Sequence, residues 1–283
     1  MSIAIVTDST CDLPQNIINE LGITVIPMFI NIGDKGFLDG IEITRRDFYT
    51  NLPTYKTHPS TGTPGLDIFT NTYKSLAEKG FRNILSIHIS EKLSATVNMA
   101  RNAAREFKQI PVTVLDSRQL SMGTGIQVER AARMAAEGSG LEEILSALHD
   151  LMLRTFVAAR LDTLEFLRRS GRMNAFLAGI GSVLQLKPIL TMRDGLPGSE
   201  RVRTTHKAEI RLTEMLKALQ PIEYFCLLHT NATEKARAFR EQVAHLIPIG
   251  NTYSMDITPV IGAHIGPGAV GYAIVSKNIK NSK

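Results

Sequence analysis

The sequence predicts an α/β fold built from two α/β domains. An N-terminal domain over residues 1–153 carries a mostly parallel sheet flanked by helices, and a C-terminal mixed α/β domain covers 154–283. Three observations carry that prediction. A chain of 283 residues, 43% of them hydrophobic, holds enough apolar material for two ordinary cores. Short runs rich in Ile and Val alternate with amphipathic stretches of helical length, the order expected of parallel strands joined by crossover helices. The alternation starts afresh after residue 153, although no linker composition marks the boundary and no repeat of solenoid period is present.

The first strand is expected at 3–6 and the first helix at 14–21, where Pro14 suits an opening turn because its missing N–H costs nothing there. One longer strand is expected at 23–30 and a helix at 45–52. Residues 52–64 (LPTYKTHPSTGTP) carry three prolines and four threonines, which predicts an ordered but irregular loop of a length that often serves function. A helix at 66–78, a strand at 84–89, a helix at 94–107, a strand at 112–115 and helices at 123–136 and 141–152 complete the first domain. The second opens with strands at 155–159 and 188–192, a turn at Asp194 and Gly195, and a strand around Arg201. A helix at 205–219, a strand at 224–229, a helix at 234–245 and strands at 253–257 and 269–275 follow.

Composition narrows the function. No run approaches the roughly 18 apolar residues of a membrane span, and the chain starts straight into a strand pattern without a leader, so a soluble, cytoplasmic protein is expected. Cys11 and Cys226 suggest neither a disulfide framework nor a metal pair, and fit a reducing compartment. The net charge of +5 is modest and does not by itself indicate nucleic acid. No HExxH or other two-histidine spacing points to a metal.

Several strand-to-helix junctions are candidate sites. Asp8, Ser9 and Thr10 follow the first strand, where an α/β sheet presents its ligand-facing loops, or else they cap and turn the chain. Ser94, in ISEKLSAT (89–96), stands where a helix should begin; its hydroxyl and the free N–H groups there can hold a carboxylate or phosphate, or serve as a plain cap. Ser117, in DSRQLSMGTG (116–125), occupies another such junction. GPGAVG (266–271) matches a dinucleotide pattern letter for letter, but a strand follows it and 12 residues remain, so it is read as a tight glycine turn. His264 just before it either donates to an anion or is satisfied by the backbone. The turn LRRSGRM (167–173) binds phosphate or a partner, or is solvated surface.

Together TDSTCDLP (7–14), PSTGTPGLDIF (59–69), ISEKLSATVNMA (89–100), DSRQLSMGTG (116–125), LEFLRRSGRM (164–173) and GAHIGPGAVG (262–271) resemble the DegV family in order and spacing across nearly the whole chain. The resemblance implies one long-chain fatty acid buried in a tunnel between the two domains. It also implies the non-enzymatic, lipid-binding subunit of a bacterial fatty acid kinase. Such a subunit presents the acyl carboxylate to a separate ATP-dependent kinase subunit, and the acyl phosphate then feeds phospholipid synthesis. Transient contact with membrane or lipid-synthesis enzymes goes with that role; a nucleic-acid partner, catalytic residues and a cofactor beyond the fatty acid ligand do not.

By position, the resemblance assigns the carboxylate to Thr61, Ser94 and His264, and kinase docking or the phosphoryl step to Arg172. Gly62, Ala95, Asp8, Ser9 and Ser117 are nearby ligand-facing candidates. The chain departs from the family's pattern at Gly62, commonly serine, at Ala95 and Ser170, both commonly glycine, and at Val97, often aromatic. The loop 52–64 and the apolar segment 176–186 are candidate lids, the latter equally a core helix. Two other functions are compatible with single features: a serine hydrolase using Ser94, His264 as base and Asp8 as orienter, though LSA lacks the glycines of GxSxG, and a nucleic-acid-binding regulator using Arg168, Arg169, Arg172, Arg201 and Arg203.

Overall fold

A computed structural model describes residues 2–177, 187–250 and 252–278. The first half runs β1 (Ile3–Asp8), α1 (Gln15–Glu20), β2 (Thr24–Ile26), β3 (Phe29–Ile32), β4 (Lys35–Leu38), α2 (Arg45–Asn51), β5 (Ser60–Gly62) and α3 (Leu66–Glu78). It continues with β6 (Asn83–His88), α4 (Thr96–Glu106), β7 (Val112–Asp116), α5 (Met122–Ala136) and α6 (Leu141–Arg154). The second half runs β8 (Thr155–Arg160), α7 (Glu165–Arg169), α8 (Met173–Leu177), β9 (Lys187–Arg193), β10 (Leu196–Val202) and α9 (Thr205–Ala218). It ends with β11 (Ile222–His229), α10 (Thr233–Gln242), β12 (Thr252–Asp256), α11 (Pro259–Ile265) and β13 (Val270–Ser276).

Strand β1 is buried on both faces: Ala4 and Val6 turn to one side, Ile3 and Ile5 to the other. A strand with no wet face needs cover above and below, the condition of a parallel sheet. It sits in a four-stranded parallel sheet of order β2-β1-β6-β7. Helices α3 and α4 cover one face, with Phe69, Tyr73, Ala100 and Ala103 against Ala4, Val6 and Ile84. The other face meets α5 and α6, whose Val128, Ala131, Ile144 and Leu148 share one core with Ile5, Leu85 and Ile87 and with the second sheet's Val157, Met192, Cys226 and Ala273.

That second sheet has six strands in the order β10-β9-β8-β13-β11-β12, antiparallel except where β11 lies beside β12. Its outer face is closed by α9 and α10, with Leu212, Leu216 and Phe239 on Phe225, Tyr272 and Ile274. The mixed α/β architecture thus has the layers helix, sheet, helix, sheet, helix, and α5 and α6 belong to both sheets.

Several elements differ from the sequence-based expectation. The single strand expected at 23–30 is two: β2 joins the parallel sheet, whereas β3 pairs with β4 and β5 in a separate three-stranded antiparallel sheet. Pro27 stands between them, and a residue without an N–H cannot continue a ladder. The loop 52–64 contains a 3-10 turn at Leu52–Thr54 and β5, which pairs with β3. Helix α4 begins at Thr96, so Ser94 lies just ahead of it rather than inside. Helix α11 was not anticipated; Thr258 caps it by accepting from Val260 N, and Pro259 occupies its first turn. The glycine turn follows, with Gly266 at φ +75° and Gly268 at φ +87°. Of the segment 176–186, residues 178–186 lie outside the described residues.

Candidate functional site

In the parallel sheet the chain goes from β1 outward to β2 and later returns on the other side of β1 as β6. A crevice opens outside the carboxyl ends of the strands at such a reversal. The turn Ser9–Cys11 after β1 and the loop 89–95 after β6 border it, and β8, β9 and α11 face it from the second half. Between them lies a cavity of about 170 Å³. Most of its wall is apolar, supplied by side chains such as Val157, Leu161, Leu190, Met192, Leu228 and Ile261.

Polar groups gather where β5, the start of α4 and the end of α11 meet. Thr61 Oγ1 lies 2.9 Å from His264 Nε2. Ser94 Oγ lies 2.8 Å from Thr96 Oγ1 and accepts from Thr96 N at 3.4 Å. Thr96 Oγ1 is in turn 3.5 Å from Thr63 Oγ1 and 3.7 Å from Met28 Sδ. Burial, with Arg172 and His58 nearby, pushes the His264 imidazole down to about 4, so it is neutral at neutral pH. A neutral ring beside a hydroxyl has two arrangements. Either Thr61 donates to Nε2 and the Nδ1 proton is left over, or Nε2 donates and the Thr61 proton is left over. Each leaves one donor free, and Nδ1 is buried without a partner. Ser94 likewise keeps its own proton free when the Thr96 hydroxyl donates to it rather than to the weakly accepting Met28 Sδ. Such a site favours an anion that only accepts.

Helix α11 is held in place from the first half. Arg45, on α2, forms a 3.0 Å ion pair with buried Asp12 and donates to the Asp256 carbonyl. Asp12 also accepts from Thr258 N at 2.8 Å and Ser121 Oγ at 2.6 Å, while Thr258 Oγ1 donates to Asp39 at 2.5 Å. Tyr49 donates to the Ile257 carbonyl at 2.9 Å and packs on α11 at Gly262, where any Cβ would strike its ring. Burial raises the Asp12 carboxyl to about 6 against the pull of Arg45.

The structure brings Thr61, Ser94, His264, Gly62, Ala95 and Arg172 to the cavity wall. Arg172, which donates to the Ser170 carbonyl at 3.1 Å, stands with Ser94 and Ala95 both on that wall and on an open surface groove that Lys92 also lines. The polar end therefore meets the surface. A Cβ at Gly62 would sit 3.5 Å from that of Phe29, an ordinary contact. Ala95 has φ −73° and Ser170 φ −83°, so neither residue strains the backbone. Val97 is buried in α4, off the wall.

Asp8, Ser9 and Ser117 are not among the lining residues. Asp8 accepts from His88 Nδ1 at 2.9 Å, Ser9 Oγ accepts from Met28 N at 3.1 Å, and Ser117 Oγ is 2.9 Å from Thr124 Oγ1. The proposed nucleophile, base and orienter of a hydrolase are thus not assembled, since Ser94 bonds Thr96, His264 bonds Thr61 and Asp8 bonds His88. Arg168 and Arg169 both pair with Glu165. Sequence reasoning missed Thr63 and Thr96, whose signal was the hydroxyl spacing Thr61, Thr63 and Ser94, Thr96. Among the described residues no group of three or more His, Cys, Asp or Glu is placed to hold a metal. No described helix is long and apolar enough to cross a membrane, and Cys11 and Cys226 are buried free thiols.

Comparison with known proteins gives concordant matches. The profile of the DegV family, itself described as uncharacterised, matches residues 2–277. A DegV domain-containing protein of Streptomyces coelicolor is 34% identical over 281 residues, covering 97% of this chain and 99% of its own. One from Listeria innocua is 33% identical over 273 residues, covering 95% and 96%. Among solved structures, a DegV family protein from Thermus thermophilus described for its fatty acid binding superposes with a TM-score of 0.89 at 34% identity, over 98% of this chain and 100% of that one. DegV from Bacillus subtilis, described as a fatty acid binding protein, gives 0.89 at 29% identity with the same coverage.

Proposed function

The chain belongs to the DegV family, and on that premise we propose that it binds one long-chain fatty acid in the cavity between its halves, with the carboxylate at Thr61, Ser94 and His264. The observation that carries this reading is a neutral imidazole paired with the Thr61 hydroxyl, a pair that keeps one proton unspent, beside the Ser94 hydroxyl at the mouth of a mostly apolar cavity. A carboxylate withdrawn from water must be met by donors or it takes up a proton. Thr61, Ser94 and His264 supply them without a buried cation of their own. About 15 methylenes at about 0.8 kcal/mol each contribute on the order of 12 kcal/mol of gross burial before association costs, so the lipid is retained through purification.

We further infer that the protein has no chemistry of its own and presents the carboxylate, in the cytoplasm, to a separate ATP-dependent kinase subunit. Support comes from the polar end sharing Ser94, Ala95 and Arg172 with the surface groove. Arg172 is there to meet the phosphoryl donor or the docked partner. Loading and release then involve passing contact with membrane or lipid-synthesis enzymes.

The test is organic extraction of the purified protein followed by mass spectrometry, with rebinding of oleate to delipidated protein. One acyl chain per protein is expected, and Ser94→Ala should weaken rebinding about tenfold or more above the carboxyl pKa, the worth of one charge-assisted hydrogen bond. Absence of an acyl chain together with failure to bind added oleate would overturn the reading.

A further inference from the structure

Beneath the cavity, at the carboxyl ends of β1 and β6, runs a chain of polar side chains that neither lines the wall nor reaches solvent. Tyr73 Oη lies 3.0 Å from Ser86 Oγ, Ser86 Oγ lies 2.7 Å from His88 Nε2, and His88 Nδ1 lies 2.9 Å from Asp8 Oδ2. All four side chains are fully buried. Removing such groups from water is costly unless every donor finds an acceptor. The Asp8 carboxylate can only accept, so Nδ1 donates to it, and the one direction that then spends every hydroxyl proton runs from Tyr73 to Ser86 and from Ser86 to Nε2.

Asp8 is where this chain gains a purpose beyond packing. Its carboxylate also accepts from Thr10 N at 3.0 Å, from the Thr10 hydroxyl and from Ile89 N at 3.2 Å. Thr10 and Ile89 are both cavity-wall residues. Ile89 is also the first residue of the loop that bears Ser94, and that loop is fastened further by Ser90 N donating to the Gln119 carbonyl at 2.8 Å and Ser94 N donating to the Ser90 carbonyl at 3.1 Å. One carboxylate thus ties together the two loops that open at the reversal point of the sheet.

We propose that His88, acting through Asp8, is a positioning residue for the carboxylate site, fixing the separation of the loops that bear Thr10 and Ser94 and so the direction in which Ser94 offers its proton. The identity of the ligand rests on the fatty-acid reading above; the coupling of His88 to Ser94 does not. His88→Asn keeps a donor within reach of Asp8, whereas His88→Leu has none, and Ser86→Ala, a small truncation, only removes the donor to Nε2.

The experiment measures oleate affinity of delipidated wild type, H88N, H88L and S86A, each also in the S94A background, together with amide resonances in heteronuclear NMR. H88L should weaken oleate binding about tenfold, S86A by less, and H88N should return to within about threefold of wild type. In S94A, where the positioned hydroxyl is gone, H88L should cost less than about twofold more. The amides of Thr10, Ile89 and Ser94 should shift in H88L or S86A and move back in H88N. Equal losses in both backgrounds, or shifts confined to α3 and β6, would overturn the proposal; should H88L fail to fold, S86A decides by the same criteria. If wild type takes up no oleate, the fatty-acid reading fails, and the resonances of Ser94 in S86A and H88N still decide the positioning role.

Discussion

Half-buried His264 and fully buried Asp12 titrate in the same acid window with opposite consequences for folding. His264 is held down to about 4 by burial and by its neighbours Arg172 and His58, from 6.5 in the open chain. Between those values the unfolded chain binds more protons, so stability present above pH 6.5 is lost as pH falls through 4. Asp12 is the reverse: burial lifts it from 3.8 to about 6, so the folded state binds more protons and stability present below 3.8 is lost as pH rises through 6. The two contributions largely cancel in wild type. Urea unfolding of His264→Gln should show stability rising toward acid relative to wild type, and Asp12→Asn should show it falling, each by up to about 3 kcal/mol across the window. Asn is a fair replacement because Asp12 has φ +57°, a left-handed conformation that Asn tolerates. A difference profile that stays flat for either variant would show that its side chain does not titrate as described.

At the scale of elements, α11 depends on a grip that crosses from one half of the chain to the other. Among the described residues Arg45 is the cation that meets the buried carboxylates of Asp12 and Asp39 and the Asp256 carbonyl. Removing one partner of a buried pair leaves a charge uncompensated, so Arg45→Met should cost about 3–5 kcal/mol in urea unfolding at pH 8. The loss should shrink at pH 5, where Asp12 is protonated; an equal loss at both values would mean that the Met side chain disturbs packing instead. Little of this grip is legible in the sequence, because α11 is seven residues of PVIGAHI with three β-branched residues and an internal glycine. The long helices and strands were legible from their periods. Pro27 already signalled the break between β2 and β3, but three-residue β5 is too short to carry a pattern. For the site, Thr61, Ser94 and His264 were named through family resemblance, since Thr61 and His264 are 203 positions apart and only the fold makes them partners. Ser86 and His88, two apart on a strand whose other inner residues Ile84, Leu85 and Ile87 are apolar, are a readable sign of a shared polar face.

At the scale of the whole molecule, the seam that holds the cavity is also the seam that shares the largest core. Helices α5 and α6 pack on the parallel sheet and on the six-stranded sheet at once, so neither half can let go without exposing a face of both. Opening the cavity by swinging the halves apart would therefore cost much of the folding free energy. On the proposed fatty-acid reading, exchange of a bound lipid would need a cheaper route, for which the smaller cluster that joins Met28, Ile30, Phe48, Tyr49 and Leu52 to Val260 and Ala263 of α11 is the candidate. Two consequences are measurable on the same delipidated protein. Calorimetry should show one transition for the whole chain, moved upward by oleate by about 2.7 kcal/mol at a hundred times Kd. Hydrogen exchange should open α11 amides well before those of α5, with oleate slowing α11 most. Two separate transitions, or α11 and α5 exchanging together, would instead mean that the lipid enters by parting the two sheets.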